Sequence, residues 1–307
     1  MNPKSASGAT REKWSLTASE LRAHFGPFSV AFTKSQGDGA TIAERSAKDG
    51  RKFIIACGGD GTINEVANGI IRSGKDVELG VLPSGTGGDF RRTLGLPLSN
   101  REAAVALRNG ETKLMDAGRV TFQDHEGQTV SRYFLNISSV GLAASVISRV
   151  KGSKIFDWIP LDGVRGKANF AMSALQEVIG PEAATVRIRI DGGEEKTIQT
   201  LCLCIANSRF FGGGMMIAPD AKINDGLLDI INVGDMSTLK ILANAYSLYK
   251  GTHLSIEEVK STLAKKIVVT ALDPSHRIPL ETDGEMPGKL PATFEVVPDA
   301  IHIRVPR

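Results

Sequence analysis

Residues 58 to 65 read Gly-Gly-Asp-Gly-Thr-Ile-Asn-Glu, directly after the apolar run Phe53-Ile54-Ile55-Ala56-Cys57. Thr62 and Glu65 have the spacing of a capping box, which would open a helix over 63–73. A glycine-rich turn from a strand's carboxyl end into a helix gathers backbone N–H groups and the positive end of the helix dipole at one spot. That spot suits phosphate. Gly58, Gly59 and Gly61 carry no side chains to keep a nucleotide from the backbone. Asp60 fits beside phosphates if Mg²⁺ or a lysine intervenes, or if it orients a group in phosphoryl transfer. A capped turn with Asp as turn-former accounts for the same eight residues equally well. No Gly-Lys-Ser/Thr follows, so the stretch is not a Walker A loop.

A second stretch, LPSGTGGDF at 82–90, repeats the arrangement, with Gly85, Gly87 and Gly88 around Thr86 and an acid at Asp89. If the preceding strands are parallel, both turns fall on one sheet edge, beyond the strand carboxyl ends, where ligands bind. Two such turns on one edge favour the phosphate reading. Arg91 and Arg92 can meet phosphate or an anionic lipid; solvent is the simplest expectation for both. Further on, Asp283-Gly284-Glu285 reads by itself as a hairpin turn, and Asn224-Asp225-Gly226 as another turn. FFGGGMM (210–216) is either an adaptable apolar loop suited to an acyl chain or core and turn.

The elements that must position these residues change character along the chain. A helix over 38–49, a strand at 53–57, a helix carrying Ile63, Val66, Ala67, Ile70 and Ile71 on one face, a strand at 77–82 and a helix over 101–109 imply parallel pairing. From about 112, short β-like runs dominate: 114–122, 131–138, 184–190, 197–206, 227–233, 266–271 and 292–297. Helical patterns persist only around 142–150, 166–179 and 238–249. The expectation is an α/β N-terminal domain (1–111) and a β-rich, sandwich-like C-terminal domain (112–307), with the C-terminal tail able to pack back on the first.

Composition is ordinary for a globular chain of 307 residues, with 41% hydrophobic and 23% charged residues. A net charge of +3 argues against dedicated nucleic-acid binding and leaves room for attraction to an anionic membrane. Cys57, Cys202 and Cys204 lack metal-ligand spacing and read as reduced core thiols, and none of the five histidines shows ligand spacing. No secretory leader or spanning segment is visible, so a cytoplasmic location is expected.

GGDGTINEVANG followed by LPSGTGGDFRRTLGLP resembles the diacylglycerol kinase catalytic domain family, which includes bacterial soluble lipid kinases and the sphingosine and ceramide kinases. The likeness continues in NPKSASG (2–8), TKSQGDGATIAERSA (33–47), FFGGGMMIAPDAKINDGLLDI (210–230) and ETDGEMPGKLPA (281–292). GGDGT alone also occurs in NAD kinases, but there Asn-Glu-Val-Ala-Asn-Gly does not follow it. The resemblance implies a NAD-kinase-like α/β domain with a parallel-rich sheet, a β-rich second domain and an active site in the cleft between. It implies ATP contacts from Thr33, from Gly58, Gly59, Asp60, Gly61, Thr62, Ile63 and Asn64, and from Thr86. Glu285 would accept the proton, with Asp283 as competing candidate or Mg²⁺-linked partner. A structural Mg²⁺ would fall at Lys222, Asp225 and Leu227, the first and last through backbone carbonyls. Two departures stand out: Gly88 replaces the family's Asn, and the chain begins at the Asn-Pro loop where the family has a strand first, which would leave a sheet edge or core face exposed.

The expected activity is therefore ATP- and Mg²⁺-dependent phosphorylation of a lipid hydroxyl, with diacylglycerol first among substrates. Mg²⁺ would bridge phosphate oxygens and a carboxylate among Asp60, Asp89 and Asp283. NAD kinase activity, or a non-catalytic nucleotide or lipid sensor on the same fold, are the alternatives. Expected partners are ATP and a lipid at the inner membrane surface, met peripherally; a homodimer is compatible with the sequence.

Overall fold

A computed structural model describes residues 1–84, 88–141, 183–273 and 275–307. Thr86 and the helices expected around 142–150 and 166–179 lie outside the described residues. The chain divides into two compact units: Met1–Asp116 with Asp299–Arg307, and Ala117–Pro298.

In the first unit, strand β1 (Phe53–Gly58) pairs in parallel with β2 (Glu78–Pro83), from Phe53↔Glu78 to Gly58↔Pro83. The end of the last strand, β13 (Glu285–Val305), adds to the other side of β2, His302 opposite Glu78 and Ile303 opposite Leu79. Four helices longer than two turns accompany these strands: α2 (Trp14–Phe25), α3 (Asp38–Lys48), α4 (Asp60–Ser73) and α6 (Asn100–Asn109). Two short ones, α1 (Ala9–Glu12) and α5 (Asp89–Thr93), complete the unit's described helices apart from a 3-10 turn at Ser5–Gly8. The apolar spacing in α4 buries Ile63, Val66, Ala67 and Ile70 as the periodicity requires. Gly74, at φ 62°, closes the helix in the left-handed conformation that favours glycine. Against α3 the fit is close: a Cβ at Gly69 would lie 2.2 Å from the Ala40 carbonyl oxygen. Among the described residues β1 has no ladder partner besides β2. A cavity of about 450 Å³ is lined by its Phe53, Ile55 and Cys57 together with Phe28 and Val30, from a stretch that forms no strand.

The second unit is antiparallel. Its strands run in the order β10 (Val259–Ala264), β9 (Leu228–Val233), β8 (Cys202–Ala206), β5 (Ile137–Gly141), β12 (Pro279–Thr282), β13, β11 (Lys266–Ala271), β6 (Ala184–Ile190), β7 (Lys196–Thr200). A further hairpin joins β3 (Glu111–Asp124) to β4 (Thr129–Phe134). Strand β8 shows why this unit is layered. All five of its residues are buried; Leu203 and Ile205 join one apolar cluster with Phe122, Phe134 and Phe294, and Cys202, Cys204 and Ala206 join another with Ile217 and Ile231. Alternate side chains of a strand point to opposite faces, so a wholly buried strand must have core on both. The three cysteines are free and buried. Two expected strands are each broken in two: 131–138 becomes β4 and β5, and 197–206 becomes β7 and β8. Helix α7 (Thr238–Lys250) follows β9.

Candidate active site

The first glycine turn leaves β1 as expected, but the capping box does not form. Helix α4 begins at Asp60, with Gly59 as its N-cap and no side-chain cap. Glu65 turns instead to the neighbouring helix, accepting from the amides of Gly37 (2.7 Å) and Gly39 (2.9 Å) at the start of α3. Thr62 Oγ1 accepts from Asn2 Nδ2 at 3.0 Å. The two residues are engaged by distant partners rather than by each other.

The glycines of this turn have different reasons to be there. A Cβ at Gly58 would lie 2.7 Å from the Thr62 side chain, so this position is dictated by packing. At Gly61 a Cβ would meet nothing within 4 Å, and φ is not positive. Neither strain nor packing requires glycine there; the first turn of α4 is left open to an approaching group. Ile63 is buried and its N–H bonds to the Gly59 carbonyl, so its side chain faces the core. Asn64 accepts from Asn68 Nδ2 through both its backbone and its side-chain oxygen. Thr33, half-buried, lines the 450 Å³ cavity together with Thr62.

The second turn is held to the first. The β1–β2 register sets Gly58 beside Pro83, and the Ser84 amide donates to the Gly58 carbonyl at 2.9 Å. Asp60 accepts weakly from the amides of Asp89 (3.4 Å) and Phe90 (3.3 Å), at the N-terminus of α5. Burial pushes its carboxyl above the usual carboxylate range, against the lowering effect of those amides and of Arg92. Asp89, itself buried, accepts from Arg92 Nη1 at 2.8 Å. Arg91 Nη1 donates to the Leu96 carbonyl at 2.7 Å. Both arginines are half-buried, which corrects the expectation that they face solvent. Gly88, the N-cap of α5, sits at φ 63°. Asn is among the few residues besides Gly that tolerate this conformation, so the replacement keeps the turn while removing an amide.

The loop at 2–8, matched by motif but given no role in the sequence, connects both turns. Asn2 N–H donates to the Cys57 carbonyl and its side chain reaches Thr62. Ser5 Oγ lies 2.7 Å from Thr10 Oγ1, and Thr10 reaches the Ser84 carbonyl at 3.4 Å.

In the second unit, Asp283 and Gly284 form the two-residue turn of the β12–β13 hairpin, with φ of 45° and 84° and Thr282 paired to Glu285. Both oxygens of Asp283 accept backbone amides: Oδ1 from Asn136 (3.0 Å) and Ile137 (2.9 Å), Oδ2 from Leu135 (2.9 Å). These three amides lie at the junction where the expected strand 131–138 is broken. Glu281, 3% exposed, steadies the turn by accepting from Gly284 N–H and from Ser139 Oγ, both at 2.6 Å. Glu285 differs. Its side chain is 28% exposed and paired with Arg132 at 3.2 Å. Neither Glu281 nor Arg132 was singled out in the sequence, although an acid between two strand residues of a buried hairpin was a readable signal.

Lys222, Asp225 and Leu227 occupy a turn in which Gly226 has φ 71° and Asp225 Oδ1 accepts from Leu227 N–H at 3.1 Å. Asp229, in the buried strand β9, is the neighbour the sequence reading missed. Burial, then repulsion from Asp225 and Asp220, raises its carboxyl to about 6, with Lys222 opposing. Among the described residues no three His, Cys, Asp or Glu side chains are gathered tightly enough to hold a metal unaided.

Residues 1–120 match the family described as the diacylglycerol kinase catalytic domain, and residues 137–305 that described as the YegS C-terminal NAD kinase beta sandwich-like domain. A diacylglycerol kinase of Mycobacterium tuberculosis is 30% identical over 271 residues, covering 88% of this chain and 82% of that protein. One from Bacillus subtilis (strain 168) is 30% identical over 280 residues, covering 90% and 84%. The crystal structure of a diacylglycerol kinase from Bacillus anthracis shares the fold, with TM-score 0.73 and 23% identity over 99% of this chain and 94% of that one. With its two glycine turns joined at the carboxyl ends of parallel strands and an acid-bearing hairpin in a β-rich second unit, the chain belongs to the diacylglycerol kinase family and is a lipid kinase.

Proposed function

We propose that this lipid kinase transfers the γ-phosphate of ATP to the free hydroxyl of diacylglycerol, giving phosphatidic acid, with Glu285 as the base. The observation that carries the assignment is the contrast between two acids two residues apart. Asp283 has three backbone amides on its oxygens, whereas the side chain of Glu285 is 28% exposed and meets the Arg132 guanidinium. A base must be within reach of the substrate hydroxyl; Glu285 is open to such an approach, and Asp283 acts by holding the hairpin that presents it.

The phosphates of ATP would lie on the first turn of α4, at the open face of Gly61, with Thr33, Gly58, Gly59, Asp60, Thr62 and Asn64 around them. Bound with ATP as part of the substrate, Mg²⁺ would supply charge neutralisation. The chain's own contribution is positioning, since the loose transition state of phosphoryl transfer asks little covalent chemistry of the protein. Glu285 would take the hydroxyl proton as the oxygen approaches the γ-phosphorus, and Arg132 would hold the carboxylate in place. The Lys222 and Leu227 carbonyls with the Asp225 carboxylate would hold a structural Mg²⁺. Oxygen donors suit this hard cation, and the repulsion that raises Asp229 is what a cation would relieve. The names of the relatives support diacylglycerol as acceptor, and ATP as donor is consistent with action on the cytoplasmic side of a membrane.

The test is transfer of labelled γ-phosphate from ATP·Mg²⁺ to diacylglycerol, phosphatidylglycerol, a sphingoid base and NAD in mixed micelles, with Glu285→Gln as control. Labelled phosphatidic acid that falls on the order of 10²–10⁴-fold in the variant is the expected outcome. Label on another acceptor would replace diacylglycerol, and an unimpaired variant would remove Glu285 from the chemistry.

A further inference from the structure

Helix α7 sets Leu248 against the core but turns most of its apolar side chains outward. Its exposed side carries Leu239 (80% exposed), Leu242 (44%), Ala243, Tyr246 (68%) and Tyr249 (48%), a stripe at helical spacing. Its half-buried side carries Ile241 and Leu248 together with polar Asn244 and Ser247, which are satisfied by the helix's own carbonyls: Asn244 Nδ2 donates to Lys240 O at 2.8 Å and Ser247 Oγ to Asn244 O at 2.6 Å. None of the thirteen residues is fully buried. A helix in contact with water on that side would carry its polar residues there and its leucines inward.

The charges indicate what covers the stripe. The only charged residues of α7 are cations, Lys240 and Lys250, and it has no acid. Lys240 is engaged by Glu258, while Lys250 ends the exposed stripe with its ammonium 5.0 Å from the centre of the Tyr246 ring. Leucine, tyrosine and lysine on one face form the composition of a helix lying in a membrane interface. The aliphatic groups enter the acyl boundary, the phenols stay at headgroup level and the lysine meets lipid phosphate. At its C-terminal end, the Leu248 carbonyl accepts from Met216 N–H at 2.7 Å. This ties α7 to the glycine hairpin Phe211–Met215, whose three glycines all have positive φ.

We infer that α7 is the membrane-docking element of this lipid kinase, lying flat on an anionic bilayer with Leu239, Leu242, Tyr246 and Tyr249 inserted and Lys250 against lipid phosphate. The inference rests on the lipid kinase reading for its occupant, a bilayer. It does not depend on which residue is the base or which lipid is phosphorylated.

The experiment is flotation of the full chain with vesicles of phosphatidylcholine containing phosphatidylglycerol, comparing the parent with Leu239→Asp/Tyr246→Asp. Both positions are exposed, so the melting temperature should be retained. Vesicle partitioning should fall about tenfold or more, and turnover of long-chain diacylglycerol in those vesicles should fall with it. Turnover of a dispersed short-chain diacylglycerol should hold. A second variant, Tyr246→Trp, should gain fluorescence that brominated acyl chains quench. A parent that does not float, a double variant that floats like the parent, or an introduced indole that the brominated chains leave unquenched would each overturn docking through α7. So would a parent dimer that the double variant separates without loss of flotation, which would assign the stripe to a second copy. If no lipid is phosphorylated in either form while flotation still depends on the stripe, the kinase reading fails and the docking surface stands.

Discussion

Replacing Asp283 by Asn separates an anchoring role from a catalytic one. Asparagine keeps an oxygen where Oδ1 accepts the Asn136 and Ile137 amides, and tolerates the φ of 45° at this position. It loses the Oδ2 bond to Leu135 and sets an NH₂ group against that residue's N–H. A charge-assisted bond contributes about 1.5–3 kcal/mol, and a donor left facing a donor adds to the loss, so the expected destabilisation is about 2–4 kcal/mol. Glu285→Gln weakens a part-exposed ion pair with Arg132, of a kind that contributes about 0–1 kcal/mol. Urea unfolding reads the first quantity as a lower midpoint at unchanged slope, and turnover per folded molecule reads the second. Asp283→Asn should lose stability and keep most of its turnover at low temperature; Glu285→Gln should do the opposite. A stable but inactive Asp283→Asn protein would refute the reasoning and make Asp283 the base.

Other expectations follow from particular contacts. Because the carboxyl of Asp229 is raised to about 6, the native state holds its proton more tightly than the unfolded chain; the associated stability is present below about pH 4 and lost as pH rises through about 6. Asp229→Asn should therefore be more stable than the parent at pH 8, on the order of 1–2 kcal/mol with screening by solvent, and Mg²⁺ should narrow the gap by stabilising the parent if Asp225 holds the ion; calorimetry across pH, with and without Mg²⁺, checks both. Gly58→Ala places a methyl 2.7 Å from Thr62 and should cost about 1–3 kcal/mol, whereas Gly61→Ala meets open space and should leave the melting temperature equal or higher while raising KM for ATP. An unchanged KM in Gly61→Ala would count against phosphate at that face. Glu65→Ala removes the acceptor of two amides at the start of α3; thermal unfolding should show a loss of about 1–3 kcal/mol, with faster hydrogen exchange at Gly37 and Gly39.

Much of this molecule was legible from its residues alone. The apolar run at 53–57, the i, i+3, i+4 pattern from Ile63 to Ile71 and the run at 77–82 sufficed for β1, α4 and β2 and for their parallel pairing. From that pairing came the placing of both glycine turns on one edge, because strand direction decides where the carboxyl ends fall. The hairpin at Asp283-Gly284 was equally plain. What could not be read was which partner each acid would take. Glu65 bonds amides 28 and 26 residues back, Asp60 amides 29 and 30 residues on, and Asp283 amides 146 to 148 residues back. Local spacing can offer Thr62 to Glu65, and Glu285 beside Asp283, but a carboxylate bonds to whichever unsatisfied N–H groups the fold brings within about 3 Å. Periodicity is a property of neighbours along the chain, whereas a hydrogen bond belongs to neighbours in space, and only the packed sheet and helices decide who those are.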